Sequence, residues 1–250
     1  MKLAAAVEYD GGNFHGWQRQ KGNIRTVQMA VEEAFGSIAN HPVRVFCAGR
    51  TDAGVHAEEQ IVHFETDAKR PLKSWLFGSN SHLPKEVNVR WVRCVDDDFH
   101  ARFSAIARQY QYRILTNPVR SSLLRNRVLF EPRKLHIPRL QSALNMLLGC
   151  HDFSAFRSSI CQAKSPIKTI EQIRLEEIDR QVVITIKADA FLHHMVRNVI
   201  GTVLCVARGD RDLQWLNQVI HSKNRQQAGM TAPPHALYFM RAFYPSRFGI

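Results

Sequence analysis

The stretch GRTDAGVHA, from Gly49 to Ala57, holds a single carboxylate, Asp52, and no other Asp or Glu occurs between Glu33 and Glu58. An aspartate set among cations and small residues can serve as a nucleophile, as a base, or simply as the partner of an arginine. The local alternative is a turn over Thr51-Asp52-Ala53-Gly54, in which Thr or Asp side chains cap backbone N–H groups. Several catalytic classes lack their residues here. A glycosidase uses two carboxylates across the scissile bond, and no second acid lies near in sequence. Phosphoryl and nucleotidyl transferases use acid pairs for magnesium or a GxxxxGK[ST] loop, and YDGGNFHGW, Tyr9 to Trp17, is neither that loop nor GxGxxG. What remains is one carboxylate acting on something anionic, or pairing with arginine.

The surroundings favour an anionic partner. Basic residues outnumber acidic ones 34 to 22, a net charge of +12, so the field of the folded chain draws in a polyanion. From Phe99 to Arg139 nine Arg or Lys stand against one acid, Glu131. Such a run is commonly a solvated face, but here Phe99, Phe103, Tyr110 and Tyr112 interleave with it, as expected where bases stack between phosphate contacts. Five widely spaced cysteines without CxxC predict reduced thiols in a cytoplasmic protein. Twelve histidines without HExxH give no metal-ligand spacing, and the neighbours His193 and His194 are expected to point apart on a helix. The apolar start MKLAAAV meets Glu8 too early for a signal peptide, and no apolar run reaches the length of a membrane span.

A length of 250 residues with 45% apolar content supports a sizeable core. Periodicity predicts strands at Lys2 to Tyr9, Val43 to Ala48, Gln60 to Glu65 and Val87 to Cys94, a helix at Val27 to Ala39, and a short helix after Pro71. The second half repeats the order: a strand at Tyr110 to Leu115, a helix at Pro138 to Leu148, strands at Ile170 to Ile178 and Val182 to Ala188, a helix at Phe191 to Val206, and a strand at Tyr238 to Phe243. The expected fold class is therefore α+β, with two RRM-like or ferredoxin-like βαββαβ halves, residues 1–98 and 99–250. Together they would form one broad mixed, mostly antiparallel sheet with helices on one face and a central active-site cleft. In the helix from Phe191 to Val206 a wide apolar stripe leaves Arg197 at its edge, one turn before Gly201. A guanidinium there either snorkels to solvent or faces an anion.

GRTDAGVHA resembles the catalytic segment of the TruA family of tRNA pseudouridine synthases. The similarity continues through EYDGGNFHGWQRQ, FHARFSA, RQYQYRI, GCHDFSAFR, FLHHMVRNVIGTVL and AGMTAPPHALYF, in the family's order. Met230 stands where the family pattern has Leu, and His235 and Ala236 where it has an acidic residue and glycine. The resemblance implies isomerisation of uridine to pseudouridine at positions 38, 39 and 40 of the tRNA anticodon stem-loop, without a cofactor or metal. The uracil leaves C1′, turns and rejoins through C5, and Asp52 aligns with the essential aspartate. An ionised carboxylate stabilises or captures the positive charge that develops at C1′.

By the same resemblance Tyr110 stacks on the target base, Arg197 pairs with the catalytic aspartate, Arg50 contacts RNA and Leu237 forms an apolar wall of the substrate pocket. The stretch Phe99, His100, Ala101, Arg102 and Phe103, and the loop Ile160, Cys161, Gln162, Ala163 and Lys164, resemble tRNA-contacting segments. A homodimer that shares one tRNA between subunits is implied as well. Two rivals accommodate part of these observations. A non-catalytic tandem RRM-like RNA-binding protein would explain charge, aromatics and βαββαβ order, but not the carboxylate, and no RNP1 block of the K/R-G-F/Y type is present. A hydrolase would use the carboxylate and release free uracil.

Overall fold

A computed structural model describes residues 1–22 and 24–250. It is α+β, with ten strands and five α-helices among the described residues, none of the helices long and apolar enough to cross a membrane. The chain divides into two compact units, Met1–Arg108 with Tyr238–Ile250, and Gln109–Leu237.

In the first unit β1 (Lys2–Tyr9) lies between β3 (His56–Glu65) and β4 (Val87–Cys94), antiparallel to both. Strands flank it on either side and its residues from Leu3 to Val7 are all buried, which is why the run is continuously apolar and rich in alanine. The two-residue β2 (Phe46–Cys47) pairs with β3 at Phe46↔His63 and Cys47↔Val62. The longer strand expected from Val43 is cut short. The His56 end of β3 is bonded instead, in parallel, to β10 (Leu237–Phe243), through Tyr238↔His56 and Phe239↔Ala57.

Helix α1 (Val27–Ala39) starts where the Thr26 hydroxyl accepts from the Met29 N–H. It buries Val27, Val31, Ala34 and Phe35, the i, i+4, i+7, i+8 spacing of one face. Phe35 stacks on Phe64 with ring centroids 4.5 Å apart and meets Trp75 edge-on at 6.1 Å. Trp75 sits in a π-helical turn, Ser74–Gly78, that runs into α2 (Ser79–His82). The order β4-β1-β3 with β2 on β3 is the βαββαβ arrangement expected of this half.

The division expected at residue 98 falls instead after Arg108, and the last strand belongs to the first unit. Side-chain packing gives the reason. Phe99 is fully buried against Tyr244 and Phe248, each at 5.2 Å, while the Tyr244 hydroxyl donates to the Ala101 carbonyl at 2.7 Å.

The second unit continues β5 (Ala107–Thr116) and adds β6 (Leu129–Glu131), α3 (Ile137–Asn145), β7 (Gly149–Asp152), β8 (Ile167–Ile178), β9 (Gln181–Ala188), α4 (Met195–Ala207) and α5 (Leu213–Ser222). Its strand order is β5-β9-β8-β7, with β6 parallel to β5. The β8–β9 hairpin turns on Asp179 and Arg180, both at positive φ, as a two-residue turn between twisted strands requires. Leu140 and Leu144 of α3, Val199 and Val203 of α4, and Ile184 and Ile186 of β9 are buried. Helix α4 begins four residues later than expected because His194, at φ 62, caps it in the left-handed region. His193 and His194 consequently precede the helix, and their rings stack at 4.0 Å instead of pointing apart.

Candidate active site

In the first unit the Asp52 loop is held on both flanks by chain distant in sequence. Ahead of it, the side-chain amide of Gln60 accepts from the Gly49 N–H at 3.3 Å and donates to the Gly49 carbonyl. The Tyr9 hydroxyl lies 2.8 Å from the Thr51 hydroxyl, and the Trp17 N–H donates to the Thr51 carbonyl at 3.0 Å. Behind it, Val55 N–H closes a turn onto the Asp52 carbonyl at 3.2 Å, and Gly54 donates to Phe14. Gly11 is required where the YDGG segment crosses the loop, because a Cβ there would stand 1.9 Å from the Val55 carbonyl oxygen. Asp52 is half-buried and Arg50 is exposed, so the structure sets both on one braced loop.

The segment Phe99–Phe103 divides by exposure. Phe99 and Ala101 are packing residues, whereas Phe103 is 76% exposed, Arg102 is exposed and His100 is half-buried. These join an aromatic run that sequence patterning does not reveal: Phe46 stacks on His63 at 5.1 Å, His63 meets His100 at 4.5 Å, and His100 meets Phe103 at 4.3 Å. Arg44 lies over Phe46 and Arg102 over Phe103, which gives a surface with both π-faces and positive charge. Burial lowers the His63 imidazole to about 4, with His100, once protonated, and Lys2 acting in the same direction. As a neutral ring it accepts the Ala101 N–H on Nδ1 at 3.1 Å. Arg108 links this surface to the Asp52 loop, since its guanidinium donates to the carbonyls of Ala48, Arg102 and Ala105.

In the second unit Tyr110 lies in β5, nearly buried, with Phe191 edge-on to its ring at 4.9 Å. Arg197 is half-buried on α4, and its Nε donates to the Ala232 carbonyl at 2.8 Å while Ala232 N–H returns a bond to the Arg197 carbonyl at 3.1 Å. The guanidinium is therefore anchored at its base by the AGMTAPP segment. Asn198 strengthens that anchor: buried, it accepts from Arg225 and from the Thr231 hydroxyl. Tyr112 and His235 share Arg197's neighbourhood. Burial raises the Tyr112 phenol against the pull of Arg197, and burial lowers the His235 imidazole, with Arg197 adding to that fall. Leu237 is buried at the start of β10.

The loop from Ile160 to Lys164 exposes Ile160, Gln162 and Lys164. Arg157 fixes its shape from inside by donating to the carbonyls of Cys161 and Ala163 at 2.7 and 2.8 Å. Cys161 Sγ accepts the His193 N–H at 3.3 Å; burial raises its thiol, but hydrogen bonding from the Ala163 and His193 backbone and from Arg157 outweighs that and holds it below the usual range.

The model of the tRNA pseudouridine synthase family matches residues 5–104 and 143–245 of this chain. A protein of Pseudomonas aeruginosa PAO1 called tRNA pseudouridine synthase A is 45% identical over 247 residues, covering 99% of this chain and 87% of that protein. Proteins of the same name from Pseudoalteromonas atlantica and Hydrogenovibrio crunogenus are each 47% identical, over 100% and 98% of this chain and 95% and 94% of their own lengths. The chain belongs to the tRNA pseudouridine synthase family.

Proposed function

We propose that this protein is the isomerase that converts uridine to pseudouridine at positions 38, 39 and 40 of tRNA, acting in the cytoplasm as a homodimer. The family membership carries this reading, and GRTDAGVHA on a braced loop is the local observation that supports it. Asp52 supplies the carboxylate that stabilises or captures C1′ as the glycosidic bond breaks. Tyr110 offers a π-face to a base taken out of its stack, and Arg197 supplies the cation for the carboxylate. Arg50 holds the extruded nucleotide and Leu237 walls the uracil pocket. RNA outside the reacting nucleotide is read by His100, Arg102 and Phe103 and by the Ile160 to Lys164 loop. The reaction balances without a cofactor, because detached uracil is both leaving group and nucleophile. Family membership favours this chemistry over a non-catalytic tandem RNA-binding role.

The test is incubation of the purified protein with unmodified tRNA, followed by chemical mapping of pseudouridine and assay of free uracil. Pseudouridine at 38, 39 or 40, with uracil retained and chelator without effect, is expected. Released uracil would mark a hydrolase instead.

A further inference from the structure

We propose that Tyr9 and Gln60 are positioning residues for the isomerisation, holding Gly49 and Thr51 so that Asp52 is aimed at the reacting ribose; this rests on the reading of Asp52 as the catalytic carboxylate. A primary amide can donate and accept at once, and Gln60 does both with the backbone of Gly49. The Tyr9 hydroxyl reaches Thr51 at 2.8 Å, next to Asp52 in sequence. Two side chains from two neighbouring strands thus grip the two residues just ahead of Asp52 and its arginine neighbour. Both side chains are buried, so neither offers an atom to a macromolecular substrate.

Packing alone would be met by Phe and Leu. Burying a hydroxyl and an amide costs desolvation, and a fully satisfied polar network in a core fixes one geometry of the chain it touches. Burial raises the Tyr9 phenol far above neutrality, with Thr51 and Gln60 opposing, so Tyr9 acts as a fixed neutral group at working pH. The Trp17 bond to the Thr51 carbonyl is made by backbone groups, which none of the substitutions below removes.

The experiment compares wild type with Tyr9→Phe, Thr51→Val, the double variant, Thr51→Ser, Gln60→Leu and Asp52→Asn. It measures single-turnover rate at saturating tRNA, tRNA affinity and thermal unfolding. Tyr9→Phe, Thr51→Val and Gln60→Leu are each expected to slow turnover by about tenfold or more, since small misplacements of a reacting group are costly. Affinity should stay within about twofold, because phosphate contacts set it. The double variant should fall no further than the slower single, as for two halves of one interaction, and Thr51→Ser should keep nearly the full rate. Rates near wild type in both Tyr9→Phe and Gln60→Leu, with Asp52→Asn inactive, would overturn the positioning role alone. So would loss of the fold in Tyr9→Phe, or a Thr51→Ser rate as low as that of Thr51→Val. An active Asp52→Asn would overturn the underlying reading itself.

Discussion

At the scale of residues, the chemistry separates into groups that face substrate and groups that aim them. In the proposed function Phe103 belongs to the first kind: it is 76% exposed and rests on His100, with Arg102 over its ring. Phe103→Ala should therefore leave the unfolding free energy within about 0.5 kcal/mol of wild type. It should weaken tRNA binding by about 1–3 kcal/mol, the usual worth of an aromatic platform under a base. Binding and denaturant titrations of the same preparation check both, and equal affinity would remove Phe103 from the RNA surface. The lone carboxylate, Tyr110 and Arg197 could be put forward from the sequence because their neighbours form recognisable blocks. Tyr9, Gln60 and Arg108 were not. Each reaches a partner 42, 11 and 60 positions away, a side-chain hydroxyl for Tyr9 and backbone groups for Gln60 and Arg108, and nothing in local patterning encodes a partner at that distance.

At the scale of elements, α4 and the segment after α5 are in direct backbone contact. A Cβ on Gly201 would stand 1.7 Å from the Met230 carbonyl oxygen, so the approach depends on glycine. Gly201→Ala should lower stability by about 1–3 kcal/mol, the range for overpacking. It should also slow turnover, because Ala232 in the displaced segment anchors Arg197. An unchanged melt would show that the two pieces of chain separate freely. Long periodic elements such as β1, α1 and β9 were legible in the sequence, since burial of one or both faces writes itself as a repeat of apolar residues. The short strands β6 and β7 carry no such repeat, as GCHD in β7 shows. Helix α5 was readable but unread: Asp212 caps it by accepting the Trp215 N–H, and Leu216 and Val219 fall on its buried face. The early start expected for α4 failed because His194 takes a positive φ that hydrophobic spacing does not register.

At the scale of the whole molecule, two properties follow from charge. With a net charge of +12, tRNA affinity should fall on the order of a hundredfold as salt rises from about 50 to about 200 mM. A flat response would mean that the basic run does not meet phosphate. Stability should also fall in mild acid. His63 titrates near 6.5 when unfolded but at about 4 when folded, so between these values the unfolded state binds the extra proton. Its contribution is whole above the upper value and shrinks by up to about 3 kcal/mol as pH drops to the lower one. His63→Asn, whose amide oxygen can take the Ala101 N–H in place of Nδ1, should flatten that slope; an unaltered slope would assign it to other groups. The most direct test of the account is single-turnover pseudouridine formation by Asp52→Asn beside wild type, with tRNA affinity measured on both. The account predicts no detectable pseudouridine in the variant at unchanged affinity, and it is contradicted by a variant that still makes the product.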